Sequence, residues 1–182
     1  MTPKALIRWS AFSAVLAGSL NPLVDFLSPG PTSPFQWAYF VGGVALQFAL
    51  IGIYAIQVKE SGTTGFLGFI LAFIGRAYFS VPTAAIGGID GTVPLGLLYT
   101  LGIVLLAVGS LKAGKLPRWV PTIWIVAVII GLTGAFLPSG EVLSSQLGAL
   151  ALGLGFLGAG LSLWSASWPP NNSLEPTRPA ER

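Results

Sequence analysis

A helix needs about 20 consecutive, mostly apolar residues to cross roughly 30 Å of hydrocarbon at 1.5 Å per residue. This sequence holds six such stretches, and nothing else in it constrains the fold as strongly. They run from Ala5 to Leu27, Phe35 to Gln57, Gly65 to Ala85, Val93 to Leu111, Trp119 to Leu137 and Ser144 to Ser167. The connectors between them, "SPGPTSP", "VKESGTT", "GGIDGTV", "KAGKLPR" and "PSGEVLS", are short and built of turn and breaker residues. Links this short force neighbouring helices to run antiparallel. The expected fold is all-α: a polytopic membrane protein whose residues 1–168 form a bundle of six transmembrane helices.

The charge distribution orients that bundle. Only 8% of the 182 residues are charged and 53% are hydrophobic, far from the roughly 25% charged residues of an ordinary soluble domain. Lys and Arg in short loops resist translocation against the membrane potential, so they collect on the cytoplasmic side. Lys4 and Arg8 precede the first helix, Lys59 follows the second, Lys112, Lys115 and Arg118 follow the fourth, and Arg178 and Arg182 lie in the tail. Six alternating helices put all of these on one face, while the other face carries only Asp25, Asp90 and Glu141. Both termini are therefore expected in the cytoplasm. Trp9, Trp119, Trp164 and Trp168 fit the inner interface and Trp37 and Tyr39 the outer one, where an amphipathic ring is at home. Trp124 lies more than a turn inside and reads as packing.

Two segments allow other readings. Lys4 and Arg8 followed by "AFSAVLAGS" also fit a secretory signal cleaved after Ser19, but the apolar run continues through "LNPLVDFL", too long for a typical signal core. After Trp168, residues 169–182 turn polar and proline-rich and read as a disordered tail.

Absent residue types narrow the chemistry. With no Cys and no His, disulfides, thiolate and imidazole metal sites and histidine-based triads are excluded by inventory. The six acidic residues are isolated from one another, so no acid/base pair is in view. The expectation is a non-enzyme with no cofactor and no metal. Its nine basic residues form no stripe with interleaved aromatics, which argues against a nucleic-acid partner. The expected partners are the lipid bilayer, with a homo-oligomer or a second membrane protein as further possibilities.

One residue breaks the apolar pattern at depth. Within "ILAFIGRAYFS", counting from Gly65, Arg76 lies near the midplane, beyond the reach of either interface. A central Arg costs about 2.5–3.5 kcal/mol on insertion scales, so it should face the bundle interior and find partners. Candidates are Asn21 and Asp25, four residues apart on one face of the first helix, Gln47 on the second, and the hydroxyls of Tyr78 and Tyr99. Asp25 is the candidate counter-charge, with Asn21 and Gln47 as neutral ligands. Pro22 also frees the carbonyl of Gly18 for an outside donor. This set reads either as a structural clasp or as a solute-binding site.

Helix contacts in lipid rely on close backbone approach, which small residues permit. Ala151, Gly155 and Ala159 recur every four residues in the sixth helix, with Ala149 and Gly153 on an adjacent face, and Gly68 and Ala72 do the same in the third. The simpler reading of these rows is packing within one chain. Gly75 and Pro82 recur at one offset as Gly131 and Pro138, a faint echo of duplicated hairpins.

The opening "MTPKALIRWSAFSAVLAG" and the basic link "LKAGKLPRWVP" resemble small, uncharacterised multi-pass (six-helix) bacterial membrane proteins. "NSLEPTRPA" is similar to a short ending found on many otherwise unrelated bacterial reading frames. The resemblance implies a bacterial plasma-membrane location and no mechanism. The expected role is accessory, structural or regulatory; the alternative is a small-solute channel or carrier in which Arg76 is the binding or selectivity charge.

Overall fold

The structure, a computed structural model, describes residues 2–27, 36–79, 92–134 and 141–167. Those residues form six helices: α1 (Pro3–Leu27), α2 (Gln36–Ala55), α3 (Gly62–Phe79), α4 (Thr92–Ala113), α5 (Trp119–Gly134) and α6 (Glu141–Ala166). Four are long and apolar enough to cross a membrane: α1, α2 from Trp37, α4 from Pro94 and α6 from Leu143. Over the described residues α3 and α5 are apolar but shorter. The outer ends expected for the third and fifth helices, and the whole tail, lie outside the described residues.

Helix ends follow local chemistry. At the start of α1, Thr2 Oγ1 accepts the Ala5 amide at 3.3 Å, and Pro3 stands where a helix needs no donor. At the end of α4, Gly114 adopts φ 64° and its amide reaches the Ser110 carbonyl at 3.0 Å. An L side chain is strained in that left-handed conformation, so glycine closes the helix.

Each helix packs on its neighbours in chain order and α6 returns to α1, so the six form a closed ring; α2 also touches α6 across it. Contacts are most extensive between α3 and α4, followed by α1 with α6, α1 with α2 and α5 with α6. Neighbours are antiparallel: Gly52 of α2 lies against Ser10 of α1 and Gly42 against Asn21, while Gly160 and Gly153 of α6 lie against Val15 and Pro22. Alternation brings Lys4, Arg8, Lys59, Lys112, Lys115 and Arg118 to one end, hereafter the basic end. There Lys115 Nζ bridges Glu60 Oε1 at 2.9 Å, tying two connectors together. The Lys115 hydrogen bond is the main reason the Glu60 carboxyl titrates below its ordinary range.

Small residues mark the closest helix approaches. A methyl added to Gly68 of α3 would run into the Leu106 amide of α4, one on Gly102 into Ala72, and one on Gly75 into the Tyr99 backbone. On α6, Gly155 accommodates the Trp124 ring of α5 and Gly158 the Trp119 ring, while Gly153 faces Gly18 and Pro22 of α1. Ala72 and Ala159 are fully buried, and Ala151 is half-buried. These small rows thus serve contacts within one chain. Gly75 and Gly131 are not equivalent: a methyl on Gly131 would point into open space. Pro82 and Pro138, the other half of the sequence echo, lie outside the described residues.

The outer surface is apolar. Leu161 is 66% exposed and Leu97, Ile129 and Leu154 are similarly placed. Trp9, Trp119 and Trp164 are exposed toward the basic end and Trp37 toward the other, whereas Trp124 is fully buried against Phe156 at 5.2 Å between ring centroids. Trp168 lies outside the described residues.

Candidate functional site

Arg76 points into the ring and is only 6% exposed. Its Nη2 donates to Asn21 Oδ1 at 3.1 Å and its Nη1 to the Tyr39 hydroxyl at 3.2 Å. The guanidinium carbon also lies 4.9 Å from the centroid of the Tyr39 ring, within cation–π range. One planar group with its fork of donors thereby joins α1, α2 and α3, which a point-charge ammonium does less well.

Depth is the first departure from the sequence expectation. Because α3 begins at Gly62 rather than Gly65, Arg76 sits about 21 Å along it. Its partners are close to the end opposite the basic one: Asn21 is about 9 Å from the end of α1 and Tyr39 about 5 Å from the start of α2. The polar layer lies in the half of the bundle away from the basic end rather than at its middle.

Partner choice is the second departure. Gln47 does not line this site; its neighbour Leu46 does. Tyr39 and Leu46 are seven residues apart and share a helical face, while Gln47 is turned about 100° from Leu46 and lies about 12 Å deeper than Tyr39. Tyr39, assigned from sequence to the interface, is instead half-buried and is a direct Arg76 ligand. Gly42 makes this possible, since a methyl there would collide with Asn21 Oδ1. The Gly18 carbonyl freed by Pro22 lies against Gly153 of α6. The side chain of Tyr78 lies outside the described residues.

Arg76 borders a cavity of about 170 Å³. Its wall takes Asn21 and Asp25 from α1, Tyr39 from α2, Tyr99 from α4 and Phe156 from α6, with Ala17, Ala149 and Gly153 as small members. Small residues facing aromatic ones explain the space. The Tyr99 hydroxyl is buried and has no hydrogen-bond partner among the described residues. Asp25 and Arg76 thus line the same cavity.

A second polar cluster, nearer the basic end, escaped the sequence reading. Gln57 is fully buried and its Nε2 donates to Ser110 Oγ at 2.8 Å, which donates in turn to the Leu106 carbonyl at 2.8 Å. Among the described residues the Gln57 Oε1, Ser61 Oγ and Ser10 Oγ atoms are buried without a partner. Gln57 stands at the edge of an apolar run, and nothing local in the sequence signals a bond to a residue 53 positions away.

Among the described residues, no three Asp, Glu, His or Cys side chains gather as metal ligands would. The chain matches no protein-family model, no curated protein and no solved structure.

Proposed function

We propose that this chain is a multi-pass integral membrane protein of a bacterial plasma membrane, crossing six times with both termini cytoplasmic, whose role is accessory or structural. Four helices meet the length and hydropathy needed. The shorter α3 and α5 run antiparallel between such neighbours, so one slab of hydrocarbon encloses all six. In this reading the basic end faces the cytoplasm. The observation that carries the structural role is the two-handed grip of Arg76 on Asn21 and Tyr39, which fixes the register of α3 against α1 and α2. Interhelical polar contacts of this kind stabilise membrane bundles by about 0.6–2 kcal/mol each.

The test compares Arg76→Ala, Arg76→Lys and Asp25→Asn for protein level and thermal midpoint in detergent. Removing one partner of a buried charged cluster costs about 3–5 kcal/mol, so Arg76→Ala should be the least stable and Arg76→Lys intermediate. Wild-type stability in all three defeats the clasp.

A second reading, a small-solute channel or carrier, is favoured by a separate observation: the clasp does not fill its own surroundings, and a cavity of about 170 Å³, mostly apolar but with Asn21, Asp25, Tyr39, Arg76 and Tyr99 in its wall, remains beside it. Intramembrane ionisable groups beside such space commonly line solute pathways.

A further inference from the structure

We infer that the Arg76 cavity is a binding site for a small zwitterion, a solute with one carboxylate and one ammonium group. The inference rests on the solute-binding reading above and names its ligand class. Size comes first: a cavity of about 150 Å³ accepts a six-carbon ring, and this one is about 170 Å³. It suits a solute of roughly five to seven non-hydrogen atoms.

Charge selects among solutes of that size. The described wall contains one basic and one acidic side chain, Arg76 and Asp25, and no other ionisable Lys, Arg, Asp or Glu. A net anion or cation entering such a wall would add an uncompensated charge in a low-dielectric interior, which is costly. A zwitterion brings both signs and leaves the sum unchanged. An apolar molecule would suit the Leu46, Leu152 and Phe156 side of the wall but leave the buried Tyr99 hydroxyl without a partner.

Hydrogen bonding gives the orientation. The Tyr39 oxygen accepts from Arg76, which leaves its proton to be donated, and the Tyr99 hydroxyl is buried without a partner. These two O–H groups come from α2 and α4, beside the α3 guanidinium, and together they suit a carboxylate. Asp25, on α1, is the only carboxylate in the described wall and receives the ammonium.

The experiment uses the purified full-length protein in detergent, with free alanine, acetate and methylammonium as probes in thermal-shift and calorimetric titrations. Alanine should bind saturably and raise the thermal midpoint, and acetate and methylammonium should do so at least tenfold more weakly. Tyr99→Phe should leave the solute-free midpoint unchanged or higher, because it removes a buried hydroxyl without a partner, yet weaken alanine about tenfold. Asp25→Asn should erase the preference for alanine over acetate. Saturable binding of acetate or methylammonium in preference to alanine overturns the zwitterion assignment while the solute-binding reading survives. No saturable binding of any probe to stable wild-type protein, together with destabilisation by Arg76→Ala, overturns both and leaves the clasp alone.

Discussion

Arg76 is bound by complementary geometry rather than by charge alone. Its Nη atoms reach an amide oxygen and a phenol oxygen on different helices, and the ring of that same phenol also lies under the cation. Tyr39→Phe keeps the ring contact and deletes the oxygen, so it should lose a hydrogen bond to a charged donor, about 1.5–3 kcal/mol. Gly42→Ala acts from the other side: its methyl would drive Asn21 Oδ1 off the guanidinium. Thermal melts in detergent should rank both below wild type, and Gly42→Ala combined with Asn21→Ala should be no worse than Asn21→Ala alone if displacement of Asn21 is the mechanism. Asn21 and Asp25 were readable as site residues because one helical face carried two polar groups in an apolar run. Tyr39 was not, because an aromatic near a helix end fits the interface equally well. Choosing between Tyr39 and Gln47 requires the rotation of α2, and a helix apolar on all sides has no amphipathic stripe from which to read it.

At the scale of elements, the boundaries were legible and the faces were not. Bilayer thickness sets the length of an apolar run, and the helix ends that fall among the described residues lie within a few residues of their expected limits, the far ends of α3 and α5 lying outside those residues. Small residues marked where backbones approach, yet only the structure pairs Gly68 with Leu106 and Gly102 with Ala72. That pairing makes a sharp contrast. Gly68→Ala should destabilise by about 1–3 kcal/mol, since its methyl meets the α4 backbone. Gly131→Ala, pointing into open space, should be neutral or stabilising by up to about 1 kcal/mol from helix propensity. Melting the two variants side by side checks the direction of each.

The Glu60–Lys115 bridge belongs to the same scale, since it links the α2–α3 and α4–α5 connectors. Its Lys115 partner holds the Glu60 carboxyl below the usual carboxylate range, so the folded state prefers it ionised. The contribution is therefore present above the unfolded carboxylate pKa and lost as pH falls through the lower folded value. Both groups are substantially exposed, so the effect should be small and should fade with salt. Glu60→Gln should lower the thermal midpoint slightly at neutral pH and low salt, and the difference from wild type should vanish in strongly acidic buffer or at high salt.

For the whole molecule, the central question is which end of the ring faces which compartment, and charge rather than packing bears on it. The closed ring needs each helix antiparallel to the next, which by itself allows either orientation. The basic residues break that symmetry, because the alternation gathers Lys59 and Lys115 with Lys4 and Arg8, while Trp37 marks the opposite rim. The chain has no cysteine, so single reporters can be introduced without background. In intact cells, a membrane-impermeant maleimide should label Trp37→Cys and spare Lys59→Cys and Lys115→Cys, which should react only after permeabilisation. Labelling of Lys59→Cys and Lys115→Cys from outside would invert the bundle, and accessibility of one but not the other would break the alternation on which the ring depends. Inversion would leave the Arg76 cavity intact but place it nearer the cytoplasmic end of the bundle, so the same labelling result bears on the side from which a solute would arrive.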